Sequence, residues 1–257
     1  MAVYELAPKQ KVSEHIWLCD EDHFINAAGN YVITKYYWYC ESPRSDENLG
    51  TFYTWLNSYD SPDDAPDLED LFTKYDLWDE WEEAEASNPI PWFAAKLNEL
   101  GHVALPVAAY IHSGVAYSVG SPSQFPDSMW DAGYAGVIFV EAEKACGDEW
   151  CSNIHEITPE TRKLINRYLA DEVDYYNEWA QGHTYYYKEF DRNGCEIDSC
   201  GGFIGDDAMT NGIVDCTGML TETSLDLDEW VEVVTAMDEA VEDVLEGTTA
   251  ENENWAA

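Results

Sequence analysis

Basic side chains are scarce in this chain. It has 12 Lys and Arg against 52 Asp and Glu in 257 residues, a formal net charge of −40. That balance argues against direct contact with DNA, RNA or anionic lipid, because all three are polyanions. It favours a cationic partner, a metal-rich milieu or high external salt. Long apolar runs are missing as well. No stretch of 18 apolar residues exists, so no transmembrane helix is predicted. The opening segment, Met1 to Gln10, has no apolar run of the signal-peptide kind. Seven cysteines are an odd count and too sparse for a disulfide scaffold. Reduced thiols and a cytoplasmic location are therefore expected. Enzyme signatures are lacking too: there is no P-loop, no Gly-x-Gly-x-x-Gly after a strand, no His-Glu-x-x-His and no EF-hand loop.

What is present is ample material for a core. The chain is 46% hydrophobic and 14% aromatic, which excludes intrinsic disorder. The acids are not spread evenly. Residues 1–59 hold eight acids and four bases, and residues 86–192 hold fifteen acids and seven bases. Residues 60–85, in contrast, hold twelve acids and only Lys74, and residues 193–257 hold seventeen acids and no base. Uniform salt adaptation would not focus charge in this way.

Each block contains an amphipathic pattern. In the first, Leu68, Leu71, Phe72, Tyr75 and Trp78 recur at helical spacing and predict one helix from Asp67 to Ala86. Its outer face carries Asp70, Asp76, Asp79, Glu80, Glu83 and Glu85, and Pro89 and Pro91 end it. In the second, Ser224 is a candidate N-cap. Leu227, Trp230, Val231, Val234, Met237, Val241, Val244 and Leu245 make one apolar stripe. The opposite face reads Asp228, Glu229, Glu232, Asp238, Glu239, Glu242, Asp243 and Glu246, and Gly247 sits where a left-handed C-cap belongs. Like charges at i and i+4 cost a helix roughly 0.2–0.5 kcal/mol per pair. Acids in the last turn also oppose the helix dipole. Either these faces are simply solvated, or an interaction compensates for the crowding.

The middle of the chain is mixed. Residues Asn30 to Tyr39 are β-branched and aromatic and predict a strand entered through a Gly29-Asn30 turn. Val103–Tyr110 and Ala135–Val140 read as buried strands. Thr158 and Pro159 open a predicted helix through Leu164, Ile165, Leu169, Val173, Tyr176 and Trp179. Thr184–Phe190 and Cys195–Asp198 flank Asn193-Gly194, a strong hairpin signal. The expected fold is one α+β domain over residues 1–247. It has a mixed or antiparallel sheet with the acidic helices packed outside, followed by a frayed acidic tail at 248–257.

Two constellations invite chemistry. His112, Ser113 and Asp131 supply a base, a hydroxyl and a carboxylate for a small hydrolase. Ser113 has no Gly-x-Ser-x-Gly elbow, however, and the alternative is a loop that His112 and Asp131 tie together. In that alternative Gly114, Gly133 and Gly136 serve turns and close packing. Cys146, Cys151 and His155, with Cys195 and Cys200, offer donors for a tetrahedral zinc. Their C-x₄-C spacing is looser than a zinc knuckle, and buried cysteines acting as small hydrophobes are the alternative. No cofactor is expected.

The segments Ile111-His-Ser-Gly114, Trp130-Asp-Ala-Gly133 with Gly136-Val-Ile, and Asp198-Ser-Cys-Gly-Gly-Phe-Ile-Gly-Asp206 are similar to a family of uncharacterised proteins. That family is carried by bacteriophages and mobile elements of Gram-positive bacteria, and the resemblance covers roughly residues 100–210. It implies a mobile-element context, in which an acidic protein without enzyme motifs resembles phage inhibitors of restriction and CRISPR–Cas systems. Many of those imitate nucleic acid. The function expected is accordingly that of an anti-defence inhibitor, not an enzyme. It would present its carboxylates to the DNA- or RNA-binding groove of a basic host protein. An acidic interaction protein without mimicry is the alternative. The aromatic excess also suits an apolar homodimer interface.

Overall fold

A computed structural model describes residues 15–26, 28–45, 47–126, 128–147, 157–191 and 193–220. The predicted helix over 224–246 lies outside the described residues, and so do its acids Asp228, Glu229, Glu232, Asp238, Glu239, Glu242, Asp243 and Glu246. The tail at 248–257 lies outside them too. In chain order the elements begin with strands β1 (Glu21–Asn26), β2 (Tyr31–Tyr36) and β3 (Thr51–Thr54). Helices α1 (Leu68–Lys74), α2 (Trp78–Glu82) and α3 (Pro89–Glu99) follow. Next come β4 (Val103–Ile111), β5 (Val115–Val119), β6 (Ala132–Val140), α4 (Ala142–Gly147) and α5 (Pro159–Ala180). The last are β7 (Thr184–Phe190), β8 (Glu196–Ile204), α6 (Ile213–Thr217) and β9 (Met219–Leu220). Helices and two antiparallel sheets make this an α+β fold.

The chain divides into two compact units, with residues 41–183 inserted between β2 and β7 of the other. In the inserted unit the sheet order is β3-β6-β4-β5. The central strands are apolar on both faces, as their continuous hydrophobic runs predict. In β6, Ile138 and Val140 pack with Ile165, Leu169 and Val173 of α5. Val137 and Phe139 point the other way, into Leu71, Phe72, Phe93 and Leu97. Gly136 pairs with Thr54 of β3, and a Cβ there would strike the Tyr53 carbonyl oxygen and lie 2.8 Å from Thr54 Cα. Glycine is required for that strand approach. Helix α5 starts as its sequence predicts: the Thr158 side chain accepts from Thr161 N–H, with proline in the first turn.

The first acidic block departs from expectation. It forms two short helices instead of one. Asp76 adopts φ +57°, Asp76 N–H reaches Thr73 O at 3.2 Å, and Leu77 N–H reaches Phe72 O at 2.8 Å. This is the Schellman geometry that ends α1, with buried Leu77 and Phe72 in the same apolar cluster. Asp occupies the left-handed position that glycine usually fills, so the periodicity of Leu68 to Trp78 looks unbroken in the sequence. Asn88-Pro89 also begins a helix as well as ending the acidic block: Asn88 Oδ1 accepts from Ile90 N–H at the start of α3.

The other unit holds a five-stranded antiparallel sheet in the order β8-β7-β2-β1-β9. The expected hairpin is present as β7 and β8, closed by Asp191 N–H to Cys195 O at 2.8 Å and by Gly194 at φ +79°. One face buries Val32, Tyr185 and Tyr187 with Ile16, Leu18, Ala208 and Ile213. Asp207 anchors that layer, accepting from His15 Nδ1 at 2.7 Å, Ile16 N–H at 3.0 Å and Met209 N–H at 3.1 Å.

Candidate functional site

Of the twelve acids between residues 60 and 85, eleven have exposed side chains. Asp70 in α1, Asp76 at the break, Asp79 and Glu80 in α2, and Glu83 just beyond it all face solvent. The exception is Asp63, which turns inward to Arg44. The break at Asp76 splits these carboxylates between two helical segments, and both segments use their apolar sides for the core. Residues one turn apart on a helix have Cβ atoms roughly 5–6 Å from each other. The acids named for the outer face are therefore exposed although the single long helix does not form.

Four of the described cations are already paired. Arg44, 4% exposed, donates to Asp63, Glu172 and the Gly50 carbonyl. Its burial disfavours the charge, but the hydrogen bonds and Coulomb attraction of the two carboxylates outweigh that and raise its pKa. Lys74, the one base in the block, reaches Glu141 at 2.8 Å, and the Tyr75 hydroxyl donates to the same oxygen at 2.6 Å. Together the Lys74 and Tyr75 hydrogen bonds lower the Glu141 pKa against its partial burial. Arg162 spends its guanidinium on Asn98 Oδ1 and the His102 carbonyl. Lys96 bridges Glu80 at 2.9 Å and Glu99 at 2.8 Å, a cation at the margin of the acidic strip.

The His112–Asp131 constellation is brought together. Strands β4 and β6 are neighbours, so the turn after β4 meets the start of β6, and Ile111 N–H donates to Asp131 O at 2.8 Å. His112 Nδ1 lies 3.4 Å from Asp131 Oδ2. Sequence reasoning missed β5, which turns the presumed connecting loop into a hairpin at His112-Ser-Gly114. It also missed His183, whose Nδ1 lies 2.7 Å from Glu178 Oε2. His112, Ser113 and His183 line one open cleft of about 380 Å³ with Tyr110 and Gln181. His112 is 70% exposed, so water competes for its contact with Asp131.

The zinc donors are not assembled among the described residues. No group of three His, Cys, Asp or Glu side chains is placed to hold a metal there. Cys151 and His155 lie outside the described residues. Cys146 ends in α4, Cys195 precedes β8, and Cys200 sits within β8 with its thiol exposed. Cys195 and Cys200 do not fit the alternative of buried cysteines acting as small hydrophobes: both are exposed. Among the described residues no helix is long and apolar enough to cross a membrane. No protein-family model, curated protein or solved structure matches the chain.

Proposed function

We propose that the protein is an acidic mimic of nucleic acid, an anti-defence inhibitor that occupies the basic DNA- or RNA-binding groove of a host restriction or CRISPR–Cas protein. The observation that carries this reading is the exposed strip of residues 60–85, where eleven acidic residues face water and the described cations Lys74 and Lys96 are the bases that reach its margin, Lys74 turned to Glu141 and Lys96 shared between Glu80 and Glu99. Duplex DNA carries one charge per about 1.7 Å of axis, and a protein that grips it presents a Lys/Arg-lined groove. A strip of exposed carboxylates in large excess over cations steers toward such a groove and blocks it by occupation. The binding partner is a basic protein, not nucleic acid or a membrane.

The test is competition. The protein is immobilised in a lysate of the bacterial host at low salt, and what elutes at high salt is identified. The expected eluate is a nucleic-acid-binding defence protein whose labelled DNA or RNA is displaced by added inhibitor. A captured protein that binds inhibitor and nucleic acid simultaneously, without mutual exclusion, would overturn the reading.

The cleft favours a second reading, a small hydrolase with His112 as base held by Asp131 and Ser113 on the same wall. His112→Ala separates the two readings. Loss of biological activity with unchanged melting temperature supports catalysis, and retained activity with a lowered melting temperature supports a structural tie.

A further inference from the structure

The turn after β2 projects two large aromatic rings into solvent: Trp38 is 80% exposed and Tyr39 85%. Exposed rings on a loose loop would mean little, but this turn is fixed at its root. Tyr37 N–H donates to Thr184 O at 2.8 Å, Thr184 Oγ1 donates back to Tyr37 O at 2.8 Å, and Cys40 N–H closes on Tyr37 O at 3.3 Å. Behind the turn, Tyr37 and Tyr186 meet edge to face with centroids 6.1 Å apart. Gly201 of β8 lies beneath them, where a Cβ would sit 3.2 Å from the Tyr37 ring. These groups line an open groove of about 530 Å³. Its lysine, Lys188, is drawn to Glu196 at 3.5 Å.

Aromatic faces carry negative electrostatic potential and attract cations, guanidinium above all because it also stacks flat. The net charge of the unit that carries the groove favours a cation as well. The described part of this unit holds ten acids against Lys35 and Lys188, and Lys35 lies 3.3 Å from Glu21. A neutral sugar or proline-rich peptide would gain the ring contact but nothing from the charge. We infer that the groove formed by Tyr37, Trp38, Tyr39 and Tyr186 over Gly201 is a docking site for arginine side chains of a protein partner. Tyr37 and Tyr186, packed against each other before binding, lose little freedom on binding, which suits the floor of an anchor site. The inference rests on the proposed cationic partner and names the side chain that this unit selects.

The experiment compares deca-arginine with deca-lysine, peptides of equal charge, binding the full-length protein by calorimetry. Arginine should be preferred by roughly two- to fivefold for each ring engaged. The double variant Trp38→Ala/Tyr39→Ala, which changes no charge, should erase that preference by weakening deca-arginine more than deca-lysine, and Trp38→Phe in place of Trp38→Ala should restore part of it. Equal affinity for the two peptides in the native protein, or a preference that survives the double variant, would overturn the proposal. A neutral proline-rich peptide or oligosaccharide that binds and is lost in the double variant, without arginine preference, would overturn it as well. Neutralising Asp70, Asp79, Glu80 and Glu83 should weaken both peptides alike. If it does not, the acidic-strip reading fails while the arginine preference stands or falls on its own.

Discussion

Arg44 holds both carboxylate oxygens of Asp63, with Nε to Oδ1 at 2.9 Å and Nη2 to Oδ2 at 2.7 Å. The remaining prong, Nη1, takes Glu172 Oε2 at 2.9 Å. Asp63 also accepts from Phe52 N–H at 2.7 Å, and Glu172 from Leu49 N–H at 2.7 Å. One buried cation therefore ties the start of the acidic block to β3 and to α5.

Removal of that cation should be costly. Arg44→Met leaves two partly buried carboxylates facing each other, and breaking a buried pair by deleting one partner costs about 3–5 kcal/mol. Urea unfolding should show the loss as a lower midpoint. Adding Asp63→Asn and Glu172→Gln to Arg44→Met should recover part of it. An Arg44→Met protein as stable as the native one would show that the ion pair is not what holds these segments.

The break at Asp76 gives a second outcome. A left-handed residue other than glycine costs roughly 1–2 kcal/mol, and Asp tolerates the region better than most. Asp76→Gly should therefore raise stability by up to about 1 kcal/mol, and Asp76→Asn should change it little. Asp76→Val should lower it clearly, because a β-branched residue resists φ +57°. If the segment were one continuous helix, the order would reverse, with glycine the worst of the three.

Much of this fold was legible in the sequence, and the failures have physical causes. Apolar runs at 103–110 and 135–140 marked strands buried on both faces, and Thr158-Pro159 and Asn193-Gly194 marked a helix start and a hairpin through their own backbone chemistry. The break at Asp76 was hidden because a Schellman end places hydrophobic residues where a continuing helix would also place them. Strand β5 was hidden because Val115–Val119 is short and lies in a Gly- and Ser-rich stretch. Arg44 could not be assigned, since its partners at 63 and 172 are distant in sequence and only the tertiary fold joins them. Exposure of the acidic strip was readable from the spacing of the apolar residues. The anchored turn at Trp38 and Tyr39 was not, because that aromatic run reads simply as more strand.

Asp207 supplies a pH dependence. Burial alone would push its carboxyl up, but hydrogen bonds from His15, Ile16 and Met209 more than offset this and hold its pKa below the ordinary range. A carboxylate depressed in the folded state contributes stability above its unfolded pKa, about 3.9. That contribution is lost as pH falls through the lower folded value. Acidification also relieves repulsion among the other acids, so the informative quantity is a difference. Native protein should be more stable than Asp207→Asn at pH 7, and the gap should close progressively below about pH 4. A gap independent of pH would show that only the packing of the side chain matters.

The acidic strip itself can be tested without disturbing the fold. Asp70→Asn, Asp76→Asn, Asp79→Asn, Glu80→Gln and Glu83→Gln change charge at exposed positions, and asparagine retains the left-handed conformation at 76. Glu80 gives up its bridge to Lys96, which keeps Glu99 at 2.8 Å. The melting temperature should hold or rise, because like-charge crowding is relieved. Against the captured partner, the combined variant should associate more slowly while dissociating at nearly the native rate, since long-range attraction acts mainly on encounter. Raising salt should slow the native protein toward the variant, because the Debye length falls from about 10 Å at 0.1 M to about 3 Å at 1 M. The matching set Glu232→Gln, Glu239→Gln, Glu242→Gln, Asp243→Asn and Glu246→Gln asks whether the C-terminal acids share the footprint. If both sets associate at native rates, or if excess nucleic acid fails to displace the inhibitor, the carboxylates are solvated surface and the mimicry reading is wrong.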